Sequence, residues 1–273
     1  MTDIDTVSNK ILEHRECQQK FKNKKEENGE KYGKMEKEEW GELYNKEQAE
    51  QVINAVATDQ VFCWTEELLK VSYENDKMCE VGCGSGQSAA YLQKHGRKVT
   101  ALDFSKECVE LVNVVNQRMD LGMRVVCADA TKPLPFEEKE FDYIYQCGLL
   151  EHFRTEERIA LLKNWKQYTK HMISMIPNAA SIAYRTGKAM MEQQGIWSYG
   201  LELPQYSLGC EFEQAGIHNV KEYTIGAEHA LMFLPEEHYL RKALQLWLLE
   251  SKQYGVQDIC GQGYLLVTIG DCE

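Results

Sequence analysis

The stretch CEVGCGSG at residues 79–86 restricts the possible folds more than any other part of the chain. A short apolar run ends there, three glycines follow at alternate positions, and the helical pattern QSAAYLQKHG comes next. Glycine permits positive φ angles and lets a ligand approach the backbone closely. A strand, a glycine loop and a helix in this order are typical of a nucleotide site at the carboxyl edge of a parallel sheet.

Short apolar runs alternate with longer helical patterns from residue 78 to residue 177. This alternation indicates βαβ crossovers and a parallel sheet. After Pro177 the pattern loosens into an aromatic, Met-rich segment, followed by a short helix, a strand, an amphipathic helix and a final strand. The runs predicted as strands in the regular part are MCEV, KVTALDF, MRVVCAD, FDYIYQCG and HMISMIP.

Two types of ligand suit such a loop. A dinucleotide would need a third glycine at position 87, where the chain has Gln, and would place a pyrophosphate over the helix N-terminus. S-adenosylmethionine has no phosphate and carries an ammonium group, which Glu80 could support. Asp103, 21 residues after Gly82, could accept both hydrogen bonds of a ribose diol, and Asp129 could accept one from an adenine amino group.

Four motifs follow one another along the chain: CEVGCGSG, VTALDFS, VVCADA and FDYIYQCGLLEHF. In these motifs the sequence resembles the class I, Rossmann-like, small-molecule type of S-adenosylmethionine-dependent methyltransferase. The resemblance covers residues 75–180 closely and the remainder loosely. It implies an α/β three-layer sandwich around a seven-stranded, mostly parallel sheet with an antiparallel last strand.

The resemblance also implies which residues contact the cofactor. Glu80 would support the loop and the amino group, Phe104 would pack on the adenine, and the Ala130 amide would read the ring. Gln146 and Gly148 would face the methionine end. Together with the acids named above, the predicted cofactor-binding residues are Glu80, Gly82, Gly84, Gly86, Asp103, Phe104, Asp129, Ala130 and Gln146.

Methyl transfer needs few catalytic groups, because the enzyme mainly positions a nucleophile and excludes water. His152, at the mouth of the predicted site, is the candidate general base, and a packing role after the fourth strand is the alternative. The segment 179–206 is predicted to cover the substrate. Its candidate substrate contacts are Tyr184, Arg185, Trp197 and Tyr199, with Arg185 facing an acceptor carboxylate; the alternative is that these aromatic side chains belong to the core.

The chain is predicted to have two parts, a charged helical extension or lid over residues 1–74 and the methyltransferase domain over 75–273, with oligomer contacts possible through the first part. The net charge of −12 disfavours nucleic acid as a partner. No Cys-x-x-Cys pair and no set of metal-ligand acids appears, so no disulfide frame and no metal are expected. With no apolar signal or membrane segment, a cytoplasmic location is expected.

The sequence is compatible with three functions. The first is a small-molecule methyltransferase acting on O, N or S. The second is a protein methyltransferase, and the third is a partner subunit that binds S-adenosylmethionine without turnover. A nicotinamide dehydrogenase is disfavoured by Gln87.

Overall fold

The structure is a computed structural model that describes residues 37–255 and 261–273. Its central sheet has seven strands in the order β3-β2-β1-β4-β5-β7-β6. Strand β7 runs antiparallel to both of its neighbours, β5 and β6, and the other pairs are parallel. The strands are β1 (Lys77–Val81), β2 (Lys98–Asp103), β3 (Arg124–Cys127), β4 (Phe141–Cys147), β5 (Thr169–Pro177), β6 (His218–Ile225) and β7 (Leu265–Asp271).

Helices cover both faces of the sheet. The described helices are α1 (Lys37–Leu43), α2 (Ala49–Ala57), α3 (Cys63–Val71), α4 (Gln87–Lys94), α5 (Lys106–Arg118), α6 (Thr155–Trp165), α7 (Ile182–Gln194), α8 (Gly209–Gln214), α9 (Ala227–Ala230) and α10 (Tyr239–Gln253). Short 3-10 helices occur at Lys46–Gln48, Leu150–His152, Lys166–Tyr168 and Leu231–Phe233. The predicted α/β sandwich, with seven strands and an antiparallel last strand, is confirmed.

The core lies on the two faces of the sheet. Helices α2 to α5 pack Val56, Leu68 and Leu111 against one face, and α6 and α8 pack Trp165 and Phe212 against the other. All five of these side chains are fully buried. The helices therefore fix the sheet from both sides and leave its carboxyl edge for a ligand.

Local sequence signals explain where several elements begin and end. Ser105 caps α5, because its Oγ accepts a hydrogen bond from the Cys108 amide at 3.4 Å. Gly122, beyond the other end of α5, takes a positive φ of 70°. Arg158 on α6 and Glu211 on α8 form a buried ion pair at 2.8 Å that joins these two helices.

Some expectations lie partly or wholly outside the described residues. Of the predicted extension over residues 1–74, the structure describes residues 37–74, which contain α1, α2 and α3. The predicted substrate cover contains α7 and an irregular segment after it. None of the helices within residues 37–255 and 261–273 combines the length and apolar character that crossing a bilayer requires.

Candidate functional site

The glycine loop is a tight turn between β1 and α4. Gly82, Gly84 and Gly86 have φ angles of 70°, 50° and 65°, a region that residues with a side chain rarely adopt. A Cβ on Gly86 would lie 2.6 Å from Cγ2 of Val112, in the core beneath the loop. Glycine at position 86 is thus required twice, for its backbone conformation and for its close packing.

Glu80 lies under this loop near the end of β1. Its side chain is buried, and Oε2 accepts a hydrogen bond from the Ala89 amide in α4 at 3.0 Å. Burial raises the pKa of Glu80 to about 8. The carboxyl group therefore gains a proton easily when no cation is near it.

Asp103 ends β2 beside the same loop. Its Oδ2 accepts from the Gly84 amide at 3.0 Å, and its Oδ1 accepts from the Ser105 amide at 2.9 Å. Burial raises its pKa as well. Both oxygens are thereby held in place beside the loop.

The segment after β3 is fixed from two directions. Oδ1 of Asp129 accepts from the Thr131 amide at 2.9 Å and from its hydroxyl at 2.7 Å. The indole N–H of Trp165 donates to the Ala130 carbonyl at 2.9 Å. Since Trp165 is fully buried, it ties this loop to the end of α6.

A cavity of about 830 Å³ opens at the carboxyl ends of β1, β2, β3 and β4. Trp40 and Tyr44, in and just after α1, lie over it. The Tyr44 ring is 3.3 Å from the position of a Cβ on Gly84, and the Trp40 ring meets His152 edge-on at 5.2 Å. Burial raises the pKa of Tyr44 far above its usual value. These two aromatic residues form what we call the roof of the cavity.

The cavity wall is acidic. It contains three carboxyl side chains, those of Glu80, Asp103 and Asp129. Within residues 37–255 and 261–273, the wall includes no Lys or Arg. The site therefore suits a ligand that carries positive charge and offers hydrogen-bond donors.

His152 lies in the 3-10 helix after β4 and faces the cavity. Its Nδ1 is 2.7 Å from the Leu201 carbonyl oxygen. Because a carbonyl can only accept, Nδ1 carries the proton of the neutral ring, and the basic lone pair is at Nε2.

The structure brings most of the predicted cofactor residues to one cavity, but it places some predicted residues elsewhere. Gln146 is buried behind the wall, where its Nε2 donates to the Ser174 hydroxyl at 2.6 Å and its Oε1 accepts from the Leu149 amide at 2.7 Å. It thus shapes the loop that carries Gly148, a wall residue. Gly86 belongs to the loop but does not line the cavity.

The predicted substrate residues separate in the same way. Tyr199 lines the cavity, and the half-buried Trp197 packs against it with ring centroids 5.4 Å apart. Tyr184 is fully buried outside the wall. Arg185 is exposed and donates to the Ala179 carbonyl at 3.4 Å, away from the cavity. Their roles toward a substrate stay predictions.

Part of the wall gave no recognisable sequence signal. Phe62 and Trp64, at the start of α3, stack at 4.2 Å, and the Trp64 indole donates to the Ser88 hydroxyl at 3.0 Å. Both line the cavity, although neither was among the predicted site residues. The pair of nearby aromatic residues in VFCWTEELL is the signal that could have indicated it.

A metal site was not expected from the sequence. In the part of the chain that the structure describes, no three His, Cys, Asp or Glu side chains are grouped so that they could hold a metal ion.

Comparison with known proteins gives matches to part of the chain. Residues 78–172 match a family model described as "Methyltransferase domain". A curated relative, a ubiquinone biosynthesis O-methyltransferase of Coxiella burnetii, is 28% identical over 95 residues. That match covers 35% of this chain and 39% of the relative, so the two share the domain and not their whole length.

Solved structures share the fold at low sequence identity. A methyltransferase from Archaeoglobus fulgidus, described as dependent on S-adenosylmethionine, superposes with a TM-score of 0.53 at 14% identity, over 76% of this chain and 91% of that one. A geranyl diphosphate C-methyltransferase from Streptomyces coelicolor, solved with S-adenosylhomocysteine, gives 0.52 at 12% identity, over 77% and 78%.

Proposed function

We propose that this chain, whose residues 78–172 are a methyltransferase domain and whose fold is of the class I, Rossmann-like type, transfers a methyl group from S-adenosylmethionine to a small-molecule acceptor. S-adenosylmethionine supplies a methyl group that is already activated on a positively charged sulfur. The product would be S-adenosylhomocysteine. The protein then has to bind, orient and shield the reactants.

The charge of the cavity is the observation that carries the proposal. The ligand has two cationic groups, a sulfonium and an ammonium, and meets a wall with three carboxyl side chains and no Lys or Arg among the described residues. A dinucleotide would bring a pyrophosphate to the same acids, and the described wall offers it no Lys or Arg. The acidic wall therefore favours the adenosyl ligand over NAD.

The residues present fit this ligand. Asp103, held by the Gly84 and Ser105 amides, lies on the cavity wall, where its carboxylate would accept from ribose hydroxyls. Glu80, with its pKa raised by burial, gains a favourable partner when an ammonium group is bound above the loop. Asp129 and the Ala130 amide lie where the adenine edge would be read, on a segment that Trp165 holds in place.

His152 is the proposed general base for an acceptor that arrives protonated. Its bond to Leu201 fixes the ring and leaves Nε2 as the basic nitrogen. The imidazole lies at the same cavity as Gly148 and Tyr199, beyond the end of β4. A side chain there would take the proton that the nucleophile loses.

The roof favours a small acceptor over a protein. Trp40 and Tyr44 lie over the cavity, so a folded protein substrate would have to displace α1 to reach the methyl group. A non-catalytic subunit that binds the cofactor would have no use for an oriented base. These alternatives are distinguished by incubating the chain with a cell extract and labelled S-adenosylmethionine and then separating the extract by molecular size. Label in the small-molecule fraction supports a small acceptor, label in protein supports a protein acceptor, and no label supports a non-catalytic subunit.

The deciding experiment is thermal unfolding with S-adenosylmethionine, S-adenosylhomocysteine and NAD, each added alone. At about 100 times its dissociation constant, a ligand should stabilise the fold by about 2.7 kcal/mol. We expect both adenosyl compounds to stabilise the wild type and NAD to have no effect.

Two variants sharpen this experiment. Asp103→Asn should lose most of the stabilisation by the adenosyl compounds, because it loses the charged acceptor for the ribose hydroxyls. Asp142→Asn is the matched control, since Asp142 lies in β4 and pairs with Lys170 at 2.9 Å, away from the cavity wall. Stabilisation by NAD, or none by either adenosyl compound, would overturn the proposal.

A further inference from the structure

A buried acidic group that the cofactor site does not use lies behind Gly148. The side chain of Glu151, in the 3-10 helix Leu150–His152, is almost completely buried at 2% exposure. Its Oε1 is 3.4 Å from the position of a Cβ on Gly148, which lines the cavity. The carboxyl group therefore lies directly behind Gly148, a residue of the cavity wall.

Glu151 lacks a counterpart for its charge. Its Oε2 is buried and has no hydrogen-bond partner among the described residues. A buried carboxylate without a partner is strongly unfavourable, so such a group either holds a proton or awaits a donor or cation. Burial and then the negative charge of Glu202 raise the pKa of Glu151 well above its usual range.

Two hydrogen bonds to the residues on either side of Glu202 bring it to this place. The Leu201 carbonyl accepts from His152 Nδ1 at 2.7 Å, and the Leu203 amide donates to the Glu151 carbonyl at 2.7 Å. These bonds hold the residues on both sides of Glu202 against the 3-10 helix. Glu202 lies between these two anchored residues, and its negative charge acts on Glu151.

Other titratable groups face the pair. The Tyr184 hydroxyl donates to Glu202, and the Tyr264 ring is 5.4 Å from that of Tyr184. Lys188 is the cation that acts on Glu202, but its ammonium pairs with Glu192 and lies 4.6 Å from the Trp197 ring centroid. Glu151 itself forms no ion pair with a described residue.

The cavity side of this region is aromatic. Tyr199 lines the cavity at 39% exposure, and Trp40 meets the His152 ring edge-on. Aromatic faces beside carboxylates attract cations through both the ring quadrupole and the negative charge. An anionic acceptor would meet acids here, since Arg185, the expected partner of a carboxylate, is exposed elsewhere.

We propose, on the basis of the methyl-transfer function above, that the acceptor carries a cationic amine and that Glu151 and Glu202 bind this cation at the carboxyl edge of β4. The pair determines the specificity for the acceptor and leaves the cofactor contacts unchanged. The cation of the acceptor supplies the positive partner that the carboxylate of Glu151 lacks.

The test compares three probes that share a phenol ring and differ in charge. Tyramine is cationic, 4-ethylphenol is neutral and 4-hydroxyphenylacetate is anionic. Each is titrated, by calorimetry or ligand-observed NMR, into the full chain saturated with S-adenosylhomocysteine. We expect tyramine to bind at least about tenfold more tightly than the other two.

Variants connect this preference to the acidic pair. Glu151→Gln and Glu202→Gln, which keep the side-chain volume, should each weaken tyramine binding by about tenfold and leave 4-ethylphenol unchanged. Glu156→Gln is the matched control, because Glu156 is exposed in the first turn of α6 and carries the same charge change. Its tyramine affinity should equal that of the wild type.

The outcomes separate the two proposals. Failure of the chain to bind S-adenosylhomocysteine refutes the proposed function. If the chain binds S-adenosylhomocysteine normally, three results would overturn the acceptor proposal alone. These are no binding of tyramine, binding of the anion or the neutral phenol as tight as that of tyramine, or an unchanged preference for tyramine in Glu151→Gln.

Discussion

The buried carboxyl group of Glu80 should make the ligand-free protein less stable as the pH rises. Its pKa is raised from the usual 4.5 to about 8 by burial. Below pH 4.5 both the folded and the unfolded chain hold this proton. Between pH 4.5 and 8 the folded state keeps a proton that the unfolded state has released, so raising the pH favours unfolding. Above pH 8 the effect is complete.

The magnitude follows from the difference between the two pKa values. At about 1.4 kcal/mol per pH unit, the rise from 4.5 to about 8 corresponds to about 5 kcal/mol. Glu80→Gln removes this dependence, because Gln has the shape of the protonated acid and can still accept from the Ala89 amide. We expect the variant to match the wild type near pH 4.5 and to exceed it by several kcal/mol near pH 8.5.

The measurement is urea unfolding of both proteins, without ligand, across this pH range. Comparing the two proteins at each pH isolates Glu80 and its interaction with Asp103, since the raised pKa of Glu151 affects both proteins. Glu138→Gln, at an exposed position, controls for the loss of one negative charge. The reasoning is refuted if the stability difference between Glu80→Gln and the wild type is the same at pH 5 and pH 8.5. The variant should also bind S-adenosylmethionine more weakly, since it has lost a partner for the ammonium group.

Three further predictions concern the loop, the roof and the base. Gly86→Ala should lower the free energy of unfolding by about 2–4 kcal/mol, from the left-handed φ and the contact with Val112, and a loss below about 1 kcal/mol in urea unfolding would contradict this. Tyr44→Ala should raise the dissociation rate of S-adenosylhomocysteine by about tenfold in stopped-flow experiments, whereas Tyr73→Ala, at an exposed position, should not. His152→Gln should reduce methyl transfer into the small-molecule fraction of a cell extract by at least about a hundredfold while cofactor binding is kept; near-normal transfer would show that His152 is not the base.

The regular half of the fold could be predicted because its signals are local. The glycine loop, Ser105 as the cap of α5 and the acid at the end of β2 each act within a few residues, and the structure contains all three. The alternation of strands and helices then determines which ends of the strands share an edge. Asp103 and Asp129 could therefore be assigned to one cavity before any distance was known.

The acceptor side could not be predicted in the same way, because it depends on contacts between distant segments. Hydrogen bonds from Leu203 to Glu151 and from His152 to Leu201 bring the segment of Glu202 to the 3-10 helix that contains Glu151. In the sequence Glu202 is a single acid in an aromatic stretch, which looks like an exposed loop residue. Trp64 likewise enters the wall because α3 packs on α4, a tertiary contact that no local pattern encodes.

The position of β7 has a consequence for how the chain is assembled. It lies between β5 and β6. Within the described sheet, β6 therefore pairs only with β7, which follows it in the chain by about forty residues. During synthesis, β1 to β5 can pair as they emerge, while the outer edge of β5 and the whole of β6 remain exposed until residues 265–271 have been made. The backbone amide of Asn178, just after β5, also donates to the Tyr264 carbonyl at 2.9 Å. A ribosome that stalls shortly before Leu265 would therefore hold a nearly complete cofactor cavity beside an open β edge, the type of surface that chaperones recognise and that aggregates extend.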